Sequence, residues 1–295
     1  MKTKFNFLIL GVVISFGLLI TSCEEQPPPG LDQTNSKVAD SSYLAPLEPK
    51  QDRMVVVEEL TGVGCANCPK AARTLKTISE ANDNRVLVAG IHPPSGGGFT
   101  EPLFGDSKYD FRLPEGDEIV NILGGIGPMP SASINRVSIG SGLIFDTDLG
   151  TWVNRITPML AESTPVNISL SSTYNADNNN GELVAKITFT EDVTEDIFIT
   201  AYILENDIED YQKDGSDKIL YNHQHVFRDA ITSISGSSLN FTDKTAGTVI
   251  QKRIGFSPVI EGDNSWNVDN CEIIAFVHRS GDDKSVLHAQ KIKLK

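Results

Sequence analysis

Residues 54–81 read MVVVEELTGVGCANCPKAARTLKTISEA, and this stretch decides the predicted architecture of the N-terminal half. Residues 54–60 form a short run rich in β-branched side chains, which is typical of a buried strand. Apolar residues then recur at helical spacing over residues 70–81. Residues 85–92 form a second strand-like run. The order strand, helix, strand predicts two parallel strands joined by a right-handed crossover.

Two cysteines, Cys65 and Cys68, lie where the first predicted strand ends and the helix begins. Helix residues three apart lie about 5–6 Å apart on one face, which is within range for a disulfide bond. The helix N-terminus favours a thiolate at Cys65. We therefore expect Cys65 to be the attacking sulfur and Cys68 the resolving one. Redox-active thiols, a purely structural disulfide and a metal site all remain open, although zinc would need a second ligand pair that the sequence lacks.

Residues 126–136, IGPMPSASINR, resemble the thioredoxin segment in which a cis-proline begins a strand facing the cysteines. Pro130 occupies the cis-proline position. The resemblance implies that Met129 presents backbone groups to an extended, thiol-bearing peptide. The dipeptide between the cysteines is Ala66-Asn67 rather than Gly-Pro, which leaves the redox potential and the direction of electron flow open.

An acidic residue and a histidine accompany this predicted site. The resemblance to thioredoxin implies that Glu59, six residues before Cys65, relays protons to the resolving cysteine; a surface carboxylate at a strand end is the alternative. Residues 93–117 form a long loop that we expect near the cysteines, because it leaves the carboxyl end of a neighbouring strand. His92, at the root of this loop, either tunes the pKa of a thiol or is simply a strand-end residue.

The N-terminus has the pattern of an exported and lipidated protein. Lys2 and Lys4 precede an apolar run over residues 7–20, which is too short to span a bilayer and suits a signal peptide. The run ends in Ile-Thr-Ser-Cys, which resembles a bacterial lipoprotein box with Cys23 as the acylated residue. An ordinary secretory signal with Cys23 left over is the alternative. Residues after Cys23 are acidic and proline-rich, which predicts a flexible tether.

The C-terminal half changes its periodicity to alternation. The predicted strands cover residues 166–174, 183–190, 197–204, 248–256, 271–278 and 286–294. Asn180-Gly181 predicts a hairpin between the first two. Strands at this density, without helices between them, favour an antiparallel β-sandwich of immunoglobulin-like type. A helix over residues 148–162 would close the domain that precedes it.

The predicted fold class is therefore an α/β thioredoxin-like domain followed by an all-β antiparallel sandwich. The predicted divisions are a signal peptide at 1–22, a lipidated cysteine and tether at 23–50, a thioredoxin-like domain at 51–164 and a β-sandwich domain at 165–295.

Three further residues in the second half of the chain are candidate functional or structural residues. His223 and His225 would share a face if they lie on one strand, and there they either hold a metal with a third ligand or form structural hydrogen bonds. Cys271 opens an apolar strand, which predicts a buried free thiol; a bridge to the cysteine pair is the alternative in an oxidising compartment.

Charge and motif content exclude several function classes. The 295 residues include 25 Lys and Arg against 39 Asp and Glu, a net charge of −14. This acidity argues against nucleic-acid binding and against attraction to anionic lipids through a basic patch. The sequence has no G-x-S-x-G elbow and no phosphate-binding loop. We expect no cofactor and no bound metal.

The whole chain resembles the 28-kilodalton outer membrane lipoprotein family of Gram-negative bacteria, through ITSC at 20–23, EELTG at 58–62, CANCP at 65–69 and HQHVFRD at 223–229. The resemblance implies an outer membrane location, with the side of the membrane left open. It supports two functions: thiol–disulfide exchange with extracytoplasmic protein thiols, or non-catalytic surface binding with a structural disulfide. The expected partners are protein thiols or disulfides, and the membrane through the lipid on Cys23. The oligomeric state stays open.

Overall fold

The computed structural model describes residues 40–140, 144–262 and 264–295. Of these, 39% lie in strands and 17% in helices. No helix within the described ranges is long and apolar enough to cross a membrane. The predicted signal peptide, Cys23 and most of the predicted tether lie outside the described residues.

The first part of the chain alternates strands and helices. Its elements are β1 (Ser41–Leu44), β2 (Val55–Leu60), α1 (Cys68–Glu80), β3 (Val86–Ile91), α2 (Pro114–Ile122), β4 (Ser131–Ile134), β5 (Phe145–Asp146) and α3 (Leu149–Leu160). A 3-10 turn, Pro94–Phe99, lies between β3 and α2.

The second part consists of strands and one short 3-10 turn, Val268–Asn270. Its strands are β6 (Val166–Asn175), β7 (Asn180–Phe189), β8 (Ile197–Glu205), β9 (Ile208–Asp214), β10 (Asp217–His223), β11 (Val226–Ala230), β12 (Ser237–Ser238), β13 (Thr248–Phe256), β14 (Cys271–Arg279) and β15 (Val286–Lys293).

The predicted strand–helix–strand unit is confirmed. β2 and β3 pair in parallel from Val55↔Val86 to Leu60↔Ile91. α1 packs on them because Ala71, Leu75 and Ile78 form one buried apolar stripe. Trp152 and Ile156 of α3 complete this core, and α3 lies within the predicted range 148–162.

The predicted fold class is wrong, because the described chain contains no separate α/β domain of thioredoxin type. Strands from both halves share one nine-stranded mixed sheet, in the order β15-β14-β8-β11-β3-β2-β4-β5, with β12 beside β8. β11 joins the halves: Val226 pairs in parallel with Gly90 of β3 and antiparallel with Glu205 of β8. The alternation of side chains predicts strands, but it does not say which strands pair. All described residues belong to one compact unit, and the division into domains at 51–164 and 165–295 stays a prediction.

A second, four-stranded sheet has the order β1-β13-β7-β6. The predicted hairpin at Asn180-Gly181 is confirmed by the antiparallel pairing of β6 and β7, which begins at Asn175↔Asn180. Apolar side chains from this sheet and from β8, β14 and β15 form the largest core cluster. Ser41–Leu44, inside the predicted tether, pairs with β13 as strand β1.

Arg136 and Glu58 of β2 form a buried ion pair. Arg136 donates through Nη2 to Glu58 Oε1 at 2.6 Å and through Nε to Glu58 Oε2 at 3.0 Å. Tyr202 donates its hydroxyl to the same carboxylate at 3.0 Å. The Arg136 guanidinium also lies 4.8 Å from the centre of the Phe276 ring. Burial is tolerated here because the two charges neutralise each other and hydrogen bonds occupy their polar atoms.

Candidate functional site

The two predicted cysteines form a disulfide bond at the start of α1. Their Cα atoms lie 5.4 Å apart. The helix begins at Cys68, with Pro69 in its first turn, and the Cys68 N–H donates to the Cys65 carbonyl at 3.2 Å. The pair therefore lies just beyond the carboxyl end of β2, where first-turn amides have no partner within the helix.

Both cysteines are covered, and the 3-10 turn Pro94–Phe99 forms one cover. The exposed fractions are 1% for Cys65 and 2% for Cys68. The Gly64 N–H donates to the Phe99 carbonyl at 2.9 Å. A Cβ atom at Gly64 would lie 2.3 Å from the carbonyl oxygen of Gly98, so this close approach requires glycine. The loop that we expected near the cysteines thus packs on the turn that carries them.

The hairpin of β9 and β10 forms the second cover, and our sequence analysis missed it. The Gln212 side-chain amide donates to the carbonyls of Gly62 and Cys65, each at 3.1 Å. The Gly215 N–H donates to the Ala66 carbonyl at 2.8 Å. A Gly-Ser pair inside an alternating stretch is a hairpin signal that could have located these strands. No local signal shows that the hairpin folds over the cysteines.

Glu59 is a buried carboxyl group in β2, the strand that precedes the disulfide. Only 3% of the residue is exposed, and its Oε1 has no hydrogen-bond partner among the described residues. Burial raises the pKa of Glu59 to about 8, because removing a carboxylate from water disfavours its charged form. Glu59 and Cys68 line the same cleft. The alternative of a surface carboxylate at a strand end is therefore wrong.

The predicted proline lies beside the same strand end. The Met129–Pro130 peptide bond is cis. β4 begins at the next residue, Ser131, which lies opposite Leu60 of β2 in an antiparallel pair. A Cβ atom built on Gly96 would lie 2.8 Å from Met129 Cε, so the Met129 side chain packs against the 3-10 turn. The roles assigned to Met129 and Pro130 stay predictions.

Two buried histidines flank an aromatic ring near the disulfide. The ring centres of His92 and His223 lie 5.2 and 5.0 Å from that of Phe111. His92 Nδ1 and His223 Nε2 have no partner in the described part of the chain. Burial lowers the pKa of His92 to about 3 and that of His223 to about 4. Both imidazoles are therefore neutral at physiological pH.

His223 and His225 do not share a strand face. β10 ends at His223, and His225 has a left-handed backbone with φ of 57°. His225 Nδ1 instead lies 3.1 Å from Glu272 Oε1. No group of three or more His, Cys, Asp or Glu residues in the described ranges is placed to hold a metal. The pairing of these two histidines on one face was wrong because the chain turns between them.

Cys271 is a buried free thiol, as predicted. Its Sγ donates weakly to the Asn267 carbonyl at 3.4 Å, and burial raises its pKa to about 12. A bridge from Cys271 to the cysteine pair is not formed, because Cys65 and Cys68 are bonded to each other. A thiol with so high a pKa carries almost no thiolate, so Cys271 is a poor nucleophile.

A cleft of about 530 Å³ connects several of these groups. Glu59, Cys68 and His223 line it. Residues of α1 and β3 line it as well, together with Glu272 of β14 and Lys291 of β15. The disulfide therefore borders a partly open cleft in which Glu59 Oε1 and His223 Nε2 have no hydrogen-bond partner among the described residues.

Comparison with known families identifies the chain. The sequence pattern of the family described as outer membrane protein Omp28 matches residues 124–295, which is more than half of the sequence. The chain belongs to the Omp28 family. This membership confirms the predicted outer membrane location of the Omp28 protein. The match begins after the cysteine pair, so it carries no information on thiol chemistry, and lipidation of Cys23 stays a prediction.

Solved structures resemble this chain at low sequence identity, and no curated protein matches it. HBP35 of Porphyromonas gingivalis superimposes with a TM-score of 0.66 and 18% identity, over 84% of this chain and 77% of that one. A protein of Agrobacterium tumefaciens gives 0.49 and 17%, over 83% and 96%. A domain of the outer membrane lipoprotein Omp28 from P. gingivalis gives 0.30 and 17%, over 45% and 89%. The likeness to HBP35 shows a shared fold alone.

Proposed function

We propose that this Omp28 protein exchanges its Cys65–Cys68 disulfide with the thiols or disulfides of extracytoplasmic proteins. Glu59 is the observation that carries the proposal. A disulfide that only fastens a helix has no need of a buried ionisable group beside it. A carboxyl whose pKa is about 8 lowers stability at neutral pH, and such groups cluster at sites that move protons.

The exchange consists of two balanced steps. A client thiolate attacks Cys65 Sγ, the Cys65–Cys68 bond breaks, and its electron pair leaves on Cys68 Sγ, which takes a proton. Glu59, protonated at neutral pH and lining the same cleft as Cys68, supplies that proton. A second client thiolate then attacks the client sulfur of the mixed disulfide, so that the client disulfide forms and Cys65 leaves as a thiolate. The same two steps in reverse order reduce a client disulfide.

Access to the sulfur atoms requires movement of a cover. The side chain of Gln212 and the N–H groups of Lys213 and Gly215 hold the β9–β10 hairpin against the cysteine loop. Asp210 of β9 also accepts hydrogen bonds from the N–H groups of Lys108 and Tyr109. Hydrogen bonds of this kind contribute about 1 kcal/mol each. Opening the hairpin breaks only this local set of contacts, so it costs less than unfolding the whole chain, and it exposes Cys65 to a client.

We further propose that a lipid on Cys23 attaches the protein to the membrane. The acyl chains of a lipoprotein supply the hydrophobic area that stable attachment needs, and the acidic surface offers no electrostatic alternative. The net charge of −14 also leaves nucleic acids out of the proposed partners.

A second function is favoured by a different observation. Both cysteines are at least 98% buried, and the hairpin bonds to the loop that contains them. In this second reading the disulfide is structural, and the protein is a non-catalytic binding module.

A redox titration decides between the two functions. The full-length protein is equilibrated in thiol–disulfide buffers, and Cys65 and Cys68 are quantified by differential alkylation and mass spectrometry, with Cys271 as an internal control. A reversible midpoint between about −120 and −270 mV, the range of exchange proteins, supports exchange. A pair that stays oxidised below about −300 mV contradicts exchange and leaves the binding module.

Trapping in intact cells provides the second test. A Cys68→Ala variant retains Cys65 and loses the resolving sulfur, so exchange predicts mixed disulfides between Cys65 and client proteins. The double variant Cys65→Ala, Cys68→Ala is the matched control. If the single variant traps no more protein than the double variant, exchange is refuted.

A further inference from the structure

β3 has an unpaired edge along four of its six residues. β2 pairs with one side of the whole strand, whereas β11 pairs with the other side at Gly90 alone. Backbone groups of successive residues point to alternate sides of a strand. Gly90 donates its N–H to the His225 carbonyl on the β11 side, so the N–H and C=O groups of Val86 and Val88 face that side as well. Within the described chain, no strand lies beside the stretch from Val86 to Ala89.

This edge opens into the cleft next to the disulfide. Val86 and Val88 line the cleft, together with Ala72 of α1 and Ile274 of β14. The Ser79 hydroxyl already bonds to the Val86 carbonyl at 3.0 Å, which leaves the N–H and C=O of Val88 as the free pair. Buried backbone groups are nearly always hydrogen-bonded, and an unpaired strand edge is a template for another strand.

Three polar atoms of residues that line the cleft have no hydrogen-bond partner among the described residues. These are Oε1 of Glu59, Nδ1 of His92 and Nε2 of His223. All three residues are at least 95% buried and line the cleft. Burial holds the carboxyl in its protonated form and both imidazoles in their neutral form at pH 7. A neutral set of donors and acceptors suits an amide or hydroxyl group, and it offers no counter-charge to an ion.

We propose that the cleft binds an extended segment of another polypeptide, which adds as a strand to the Val86–Ala89 edge and directs an uncharged polar side chain toward Glu59 and His223. Alternating backbone donors and acceptors recognise an extended main chain, which is the basis of strand addition. The incoming segment would continue the line of β11, which begins at Val226 beside Gly90. The four residues from Val86 to Ala89 span about 13 Å of strand. Binding of this kind requires no thiol chemistry and goes beyond the proposed exchange.

Methylated peptides test the proposed strand addition. The probe is a capped seven-residue peptide of alternating threonine and valine with a central glutamine, labelled with fluorescein and titrated with the oxidised full-length protein. Fluorescence anisotropy reports binding. Two further peptides carry N-methyl groups on the odd or the even residues, so that the side chains are kept and one set of N–H donors is removed. One methylated peptide should bind at least tenfold more weakly than the other. No binding of the parent peptide, or equal affinity of the methylated pair, overturns the proposal.

Two substitutions on one helix locate the bound peptide. Ala72→Trp places a large ring in the cleft and should weaken peptide binding at least tenfold. Thr77→Trp places the same ring on the exposed face of α1, away from the residues that line the cleft, and should leave binding unchanged. Equal effects of the two substitutions contradict binding in the cleft.

Hydrogen exchange of individual backbone amides tests whether the Val86–Ala89 edge is unpaired in the free protein and pairs with the peptide. The Leu87 amide bonds to β2 and should exchange slowly with or without the peptide. The Val88 amide should exchange faster in the free protein and slow at least tenfold when the peptide is present. No protection at Val88, or a dimer of the protein that excludes the peptide from the cleft, overturns the proposal. Because the protein stays oxidised and no reductant is used, failure of thiol exchange leaves these results unaffected.

Discussion

Replacing Glu59 with glutamine should change how the stability of the protein depends on pH. The amide is similar in size and stays neutral, whereas the pKa of Glu59 is about 8 in the folded protein against 4.5 for the unperturbed group. Below pH 4.5 the carboxyl is protonated in both the folded and unfolded states. Between about pH 4.5 and 8 the unfolded chain loses this proton first, so the native state is progressively destabilised as the pH rises.

The size of the effect follows from the pKa shift. One pKa unit corresponds to about 1.4 kcal/mol. From pH 5 to pH 8, the free energy of unfolding of the native protein should therefore fall by about 3 kcal/mol relative to the Glu59→Gln variant. The comparison with the variant is essential, because buried histidines such as His92 and His223 have lowered pKa values and destabilise the fold as the pH falls.

Urea unfolding of the oxidised proteins at pH 5, 6.5 and 8 measures this difference. Glu118→Gln, which removes an exposed carboxylate of α2, is the matched control and should follow the native protein at every pH. A constant difference between the native protein and Glu59→Gln across this range would refute the assignment of Glu59 as a buried, protonated acid.

Three further predictions concern other parts of the molecule. Arg136→Met leaves Glu58 buried without its cation, so the free energy of unfolding measured in urea at pH 7 should fall by about 3–5 kcal/mol. A fall of less than about 1 kcal/mol would contradict the burial of this ion pair. Gln212→Ala removes two hydrogen bonds from the hairpin to the cysteine loop and should speed reduction of the disulfide by dithiothreitol about thirtyfold, since each bond contributes about 1 kcal/mol. Gln224→Ala, on an exposed residue, is the control, and equal rates would count against the hairpin as a cover. Cys23→Ala should move the protein from the membrane fraction to the soluble fraction on immunoblots, and continued membrane attachment would rule out the lipid anchor.

The sequence alone determined those features that depend on neighbouring residues. The β-branched run before the cysteines predicted β2, the apolar spacing of Ala71, Leu75 and Ile78 predicted α1, and the apolar run at residues 85–92 predicted β3. Asn180-Gly181 predicted the β6–β7 hairpin for the same reason, because a two-residue turn and its flanking strands form a local unit. Cys65 and Cys68, three residues apart at a helix start, had to be close enough to bond.

The tertiary structure decided which strands pair and what covers the cysteines. The alternation of side chains predicts a strand but does not show which strands pair with it. The sequence analysis therefore missed that Val226 of β11 joins the two halves. For this reason the predicted fold class was wrong. The β9–β10 hairpin reaches the cysteine loop through contacts such as Gln212 to Cys65, which are 147 residues apart in the chain. Burial of Glu59 and the free edge at Val88 also arise from these long-range contacts, because burial and strand pairing depend on elements that are distant in the sequence.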